Sequence, residues 1–387
     1  MSLTRFEMSR TASIIAGAGA RQSIPEDIDA KFGQRVALIT SPSVAKTVPY
    51  RELAGALGSR LVLRYEEVLP HPPAGRVVDL IERARVAGAE TFVGVGGGSA
   101  IDSAKFASLG VLEGIRSVEH LTDFGVHFEY PDREWTRPLS GTPGPILALP
   151  TTLSAAEWDG FASTVDPSTG VKHVARYLDL TPALVYLDPE FAATTPRELW
   201  ATTGLRAVDH AIESSYARNA MPFTTSLAIG SLELLSENLR SSVSNPGDHQ
   251  AALACQWAAM MSILGVHNVS LGLSHAIGHQ LGGYGVPHGV TSCITLPHVM
   301  RFLLPATQPE QSRIARALGE GDDPARAAVG VEKLLVDLNV RRRIRDVGVP
   351  RDAFPAIATA TLGDIVVRES PVPVSQEAIV ALLENAW

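Results

Sequence analysis

The run Val93-Gly94-Val95-Gly96-Gly97-Gly98-Ser99-Ala100-Ile101-Asp102-Ser103-Ala104-Lys105 sets three consecutive glycines between a strand-like segment and a helical one. Without Cβ atoms these glycines let an anion approach the backbone, and the N–H groups at the helix start face it with the positive end of the helix dipole. A pyrophosphate is the guest such a turn predicts, which makes Gly96, Gly97, Gly98, Ser99 and Asp102 candidate cofactor residues. The alternative is a plain capping box of Ser99 and Asp102 around a tight turn, but a cap needs one glycine at most and this turn has three. The spacing also departs from Gly-x-Gly-x-x-Gly, so a dinucleotide fold other than the common one is expected.

Around this turn the first half alternates short apolar runs with helical patterns, the signature of crossover connections and a mostly parallel sheet. Candidate strands are 35–40, 60–64, 91–95, 146–149 and 183–187, with helices near 43–57, 75–88 and 99–112. After Asp188-Pro189 helical periodicity takes over through 196–217, 222–241, 248–266, 273–283, 309–318, 324–338 and 375–386. With 387 residues the chain exceeds what one core usually supports. The expected partition is an α/β nucleotide-binding domain over 1–190 and an all-helical domain over 191–387. Residues 121–145, rich in Pro, Gly and aromatics, read as a long loop.

A net charge of -8 argues against nucleic acid or an anionic membrane surface as partner, since both call for clustered Lys and Arg. The one basic run, Arg341-Arg342-Arg343, reads as a solvated face. Two cysteines, Cys255 and Cys293, give no disulfide framework, and the polar start is unlike a signal peptide; a cytoplasmic protein is expected. The apolar stretch 251–264 is too short for a membrane span and reads as a buried helix.

Four of the eleven histidines fall between 275 and 298. His275 and His279, four apart, project from one helix face, and Pro287-His288-Gly289 can return a third imidazole from the turn that follows. One histidine alone would read as a packed core residue; three at ligand-like spacing point to chemistry.

Taken together, the turn at 96–105, Leu149-Pro150-Thr151-Thr152 followed by Glu157, the helix Gly204…His210-Ala211-Ile212-Glu213, and the block His275…His279…Pro287-His288-Gly289…Leu296-Pro297-His298 closely resemble the iron-containing (group III) alcohol dehydrogenase superfamily. The motifs recur in family order over nearly the whole chain. The resemblance implies the dehydroquinate synthase-like two-domain fold, NAD or NADP, and a divalent metal, iron or zinc, held by one Asp and three His. His210, His275 and His288 match the histidine ligands, and His279 matches the histidine near the nicotinamide. Gly96 to Ser99 match the pyrophosphate loop, with Thr151 and Thr152 further along the cofactor. Ser41, after Thr40, stands where NAD-preferring members often carry an Asp for the ribose, so NADP is not repelled.

One position departs from the family. Its metal-binding Asp is here Arg206, which shares a helix face with His210, whereas Asp209 points about 100° around the helix. At ~5 Å and an effective dielectric near 20, a guanidinium would oppose a dication by about 6 to 7 kcal/mol. Arg206 is therefore expected to replace the metal, stabilising an oxyanion or clamping a substrate carboxylate; the alternative is that Arg206 swings away and the three neutral imidazoles hold zinc or nickel. The competing reading turns Arg206 outward to pair with Asp209 or Glu213. The short turn 153–156 and the segment 371–379 look like the maleylacetate reductases, while the long segment 110–145 looks like the alcohol dehydrogenases. The expected activity is NAD(P)-dependent reduction of an aldehyde or keto acid, or oxidation of the matching alcohol, by a homodimer with His279 and Arg206 as catalytic residues. The alternatives are a dehydroquinate synthase-like lyase or cyclase, and an inactive NAD-binding protein.

Overall fold

The computed structural model describes residues 6–129, 133–167 and 170–387. They form two compact units, residues 9–195 and residues 196–387, the second joined by the segment up to Met8.

In the first unit ten strands occur: β1 (Ser13–Ala16), β2 (Val36–Thr40), β3 (Leu61–Tyr65), β4 (Thr91–Gly96), β5 (His127–Glu129), β6 (Arg133–Trp135), β7 (Ile146–Pro150), β8 (Phe161–Val165), β9 (Lys172–Arg176) and β10 (Leu184–Leu187). Six make one sheet in the order β1-β10-β7-β4-β2-β3, all pairs parallel. Helices α1 (Ile24–Lys31), α2 (Val48–Leu57), α3 (Ala74–Val86), α4 (Gly98–Glu113), α5 (Val118–Thr122) and α6 (Pro189–Ala192) connect and flank the strands.

Strand residues alternate between two apolar cores, one on each face. Val36, Leu38, Val93 and Val95 pack with Ile24, Ile28 and Leu53, whereas Ala37, Ile39 and Phe92 pack with Val77, Leu80 and Ile81. Burial on both faces is why β2, β4, β7 and β10 read as unbroken apolar runs rather than alternating ones.

The stretch expected as a long loop holds a folded piece instead: β5 pairs antiparallel with β6, and His127 stacks on Trp135 at 4.4 Å between ring centroids. A second hairpin, β8 with β9, lies where no strand was expected. Lys105 is fully buried and ties α4 to the segment after β7, its Nζ donating to Ala156 O (2.7 Å), Asp159 Oδ1 (2.9 Å) and Phe161 O (2.7 Å).

The second unit is helical: α7 (Arg197–Tyr216), α8 (Pro222–Ser244), α9 (His249–Ile263), α10 (Leu273–Gly282), α11 (His288–Leu303), α12 (Gln308–Ala317), α13 (Arg326–Asp337), α14 (Phe354–Leu362) and α15 (Gln376–Asn385). Helix α11 was not among the expected helices, and Pro297 stands inside it. Burial on most of its surface overrides the helix-breaking propensity of the proline. The first described residues belong here, with Phe6 edge-on to Phe223 and Glu7 N–H donating to Asn268 Oδ1 at 2.6 Å. Among the described residues no helix is long and apolar enough to cross a membrane.

Candidate active site

In the first unit the glycine turn sits at the carboxyl edge of the sheet. Gly96 has a φ of 143°, closed to residues with a Cβ, and α4 then begins at Gly98 with no side chain capping it. Thr151 N–H donates to Gly96 O at 2.9 Å, and a Cβ on Gly97 would lie 3.1 Å from Thr152 Cγ2. Gly96, Gly97, Gly98, Thr151 and Thr152 are thus brought together, around uncapped helix N–H groups that suit a phosphate.

The Ser99 and Asp102 capping box is not formed. Ser103 Oγ donates to Ser99 O at 2.8 Å, and Asp102 Oδ2 accepts both the N–H (3.0 Å) and the Oγ–H (2.9 Å) of Ser163. Asp102 therefore ties α4 to β8, and burial raises its carboxyl above the usual range. Ser41 follows β2 on the same edge, its Oγ 3.0 Å from Ser43 Oγ.

In the helical unit Arg206, Asp209, His210 and Glu213 all lie buried on α7, where Arg206 is four residues from His210 and Asp209 four from Glu213. The Glu213 carboxylate meets the start of α10. It accepts the backbone N–H groups of Gly272 (2.8 Å), Ser274 (2.7 Å) and His275 (3.1 Å), and lies 2.7 Å from His275 Nδ1. A Cβ on Gly272 would sit 2.8 Å from Glu213 Oε1, so only glycine admits the carboxylate there. Four donors are the surroundings of an ionised group; burial and the neighbouring Asp209 push the other way and raise its pKa.

Asp209 Oδ2 accepts Ser274 Oγ–H at 2.9 Å and lies 3.9 Å from Arg206 Nη1. Arg206 is 8% exposed and its Nη1 donates to Ser292 Oγ at 3.1 Å, so the outward-turned arginine is not what the fold contains. Burial first, and then the Arg206 charge, hold His210 and His275 well below the ordinary imidazole range, so both are neutral at physiological pH. Their rings stack at 5.0 Å between centroids, and His279 meets His288 edge-on at 5.8 Å. His279 Nδ1 lies 2.8 Å from Asp364 Oδ2.

Buried His210 Nδ1 and His275 Nε2 have no hydrogen-bond partner, as nitrogens awaiting a metal would. Yet among the described residues the one group of three ligand-type side chains with donor atoms within 4.8 Å of one another is Asp209, Glu213 and His275, not His210, His275 and His288. Glu213 in that group already accepts three backbone N–H groups, and the Arg206 guanidinium lies 3.9 Å from Asp209 in the same group. The residues present do not fit a tightly held dication.

Both halves of the chain match one family. The iron-containing alcohol dehydrogenase model matches residues 11–189, and its C-terminal counterpart matches residues 200–387. The chain belongs to the iron-containing alcohol dehydrogenase family. Lactaldehyde reductase of Escherichia coli K12 is 31% identical over 392 aligned residues, covering 96% of this chain and 97% of that enzyme. A crystal structure of 1,3-propanediol oxidoreductase superposes with a TM-score of 0.90 at 27% identity, covering 99% of this chain and 100% of that one. The maleylacetate reductase of Rhizobium sp. strain MTP-10005 shares the fold, with a TM-score of 0.80 at 24% identity over 100% of this chain and 99% of that one.

Membership in the alcohol dehydrogenase family replaces the lyase or cyclase alternative and implies a nicotinamide dinucleotide and a metal. Among the residues described above, Ser292 and Asp364 were not singled out by the sequence, and Asp209 was named there only as a rejected stand-in for the family Asp and as an outward partner for Arg206. Glu213 was quoted as part of a motif and as an outward partner for Arg206; its spacing of three from His210 was the available signal. Asp364, 85 residues from His279, had none.

Proposed function

We propose that this family member is an NAD(P)-dependent oxidoreductase that reduces a small aldehyde or keto acid, or oxidises the matching alcohol, with the Arg206 guanidinium doing the electrostatic work of the family's cation. The observation that carries this reading is a buried guanidinium, anchored by Ser292, near His210 and His275, which burial first and then the Arg206 charge hold below the ordinary imidazole range. A dication with one carboxylate ligand brings a net charge of about +1 to a pocket, and a guanidinium alone brings the same. The change from Asp to Arg at 206 therefore conserves the charge available to a developing oxyanion without any ion.

Nicotinamide dinucleotide, when bound, supplies or accepts the hydride. The Gly96 to Ser99 turn would hold its pyrophosphate, with Thr151 and Thr152 further along the cofactor, and Ser41 presents no carboxylate to a 2′-phosphate, which supports acceptance of NADPH as well as NADH. Arg206 donates N–H groups to the carbonyl oxygen as it gains charge, or to a carboxylate on the substrate. His279 gives the proton to that oxygen during reduction and takes it back during oxidation. A homodimer is the expected assembly.

The test mixes the protein with NADH or NADPH and a panel of aldehydes and keto acids, with and without a chelator, and follows nicotinamide absorbance. Turnover that survives chelation is the expected result. No turnover with any substrate overturns the oxidoreductase reading, and activity abolished by chelator and restored by iron or zinc overturns the role given to Arg206.

A further inference from the structure

Asp364 approaches His279 from outside every motif described above. Its Oδ2 lies 2.8 Å from His279 Nδ1, while its Oδ1 accepts the Val366 N–H at 3.2 Å and its own N–H donates to Thr361 O at 3.0 Å. The carboxylate caps the short 3-10 turn Ile365–Glu369 that follows α14, and its side chain is 12% exposed. One oxygen thus serves the backbone and the other serves the imidazole, so capping alone does not account for the geometry.

We propose that Asp364 is a positioning residue for His279. This rests on the reading of His279 as the proton carrier. An ionised carboxylate only accepts hydrogen bonds, so Asp364 makes Nδ1 the nitrogen that carries the hydrogen and leaves the lone pair on Nε2. The same contact fixes the ring plane, which stands at 83° to His288. During oxidation Nε2 takes the proton of the substrate hydroxyl, and during reduction the ring, protonated on both nitrogens, gives its Nε2 proton to the substrate oxygen. A ring free to change tautomer or to rotate would spend part of its time with the wrong nitrogen presented; holding a histidine by its other nitrogen removes that loss.

Asp364→Asn separates the two roles, because Asn caps a turn as well as Asp but carries no charge to hold Nδ1–H. Steady-state kinetics of Asp364→Asn, His279→Ala and the double variant, with thermal unfolding of each, form the test, and Asp364→Ser gives a second capping residue should the amide disturb the fold. The expected result is kcat lowered about 10- to 100-fold in Asp364→Asn with an unchanged KM for the nicotinamide cofactor and an unchanged unfolding midpoint. The double variant should turn over no more slowly than His279→Ala, since Asp364 acts through that ring. If His279→Ala is slow but Asp364→Asn and Asp364→Ser keep kcat within about twofold of wild type, or if the two losses multiply in the double variant, the positioning role is overturned and the His279 reading stands. A wild-type kcat in His279→Ala overturns the His279 reading itself.

Discussion

Glu213 and His275 are joined at 2.7 Å through a carboxylate that also accepts three backbone N–H groups at the start of α10. The same side chain therefore sets the orientation of the His275 imidazole and closes the end of the helix that carries it. Replacing Glu213 with Ala leaves those buried donors unpaired and should cost about 3 kcal/mol or more. Chemical denaturation of the variant measures this; a loss under about 1 kcal/mol would mean that the cap contributes little.

Arg206→Ala removes the fixed positive charge while leaving the histidines in place. The expected loss in kcat/KM is about 2 to 4 kcal/mol in transition-state terms, similar to deleting an oxyanion donor. A variant that turns over at the wild-type rate would remove Arg206 from the mechanism.

Arg206→Asp is the more pointed change, because it exchanges the guanidinium for the carboxylate whose absence makes the site unsuitable for a dication. The variant should retain about one equivalent of divalent metal through gel filtration, against a substoichiometric amount in the wild type, as read by elemental analysis. Equal metal content in the two proteins would contradict the exclusion of metal by Arg206.

Glu157 supplies a pH dependence away from the histidines. Its side chain is 1% exposed, its Oε2 has no hydrogen-bond partner, and burial pushes its pKa up from an ordinary 4.5 to about 8. Below pH 4.5 it is protonated in both folded and unfolded chains and costs nothing; between 4.5 and about 8 only the folded chain holds the proton, so stability falls as pH rises. The slope is at most ~1.4 kcal/mol per pH unit. Glu157→Gln imitates the protonated form, so the gap between its unfolding midpoint and that of the wild type should widen from pH 5 to pH 8. Parallel midpoints across that range would count against the buried neutral acid.

The sequence made the central strands legible because burial on both faces leaves nothing to alternate, as in Val36-Ala37-Leu38-Ile39. It did not reveal β1, whose residues are half-buried or exposed and too few to show a pattern. The histidine face of α10 followed from a spacing of four, and the departure at Arg206 followed from comparing one position with its family. Asp209 was named as a partner for Arg206 and lies 3.9 Å from it, but the hydrogen bond to Ser292, 86 residues away on α11, left no signal in the sequence. Asp364 was out of reach for the same reason, since a contact between distant segments leaves no local trace.

The strand order also governs when the first unit can be completed. β1 pairs with β10 at the edge of the sheet, and their partnered residues, such as Ser13 with Leu184, are separated by nearly half of the chain. During synthesis the N-terminal strand must therefore wait, unpaired, until β10 has left the ribosome. The segment before it waits longer still, because Glu7 pairs with Asn268 of the helical unit. Non-local closure of this kind is slow and leaves strand edges exposed, so growing chains stalled before residue 184 are the ones most in need of a chaperone.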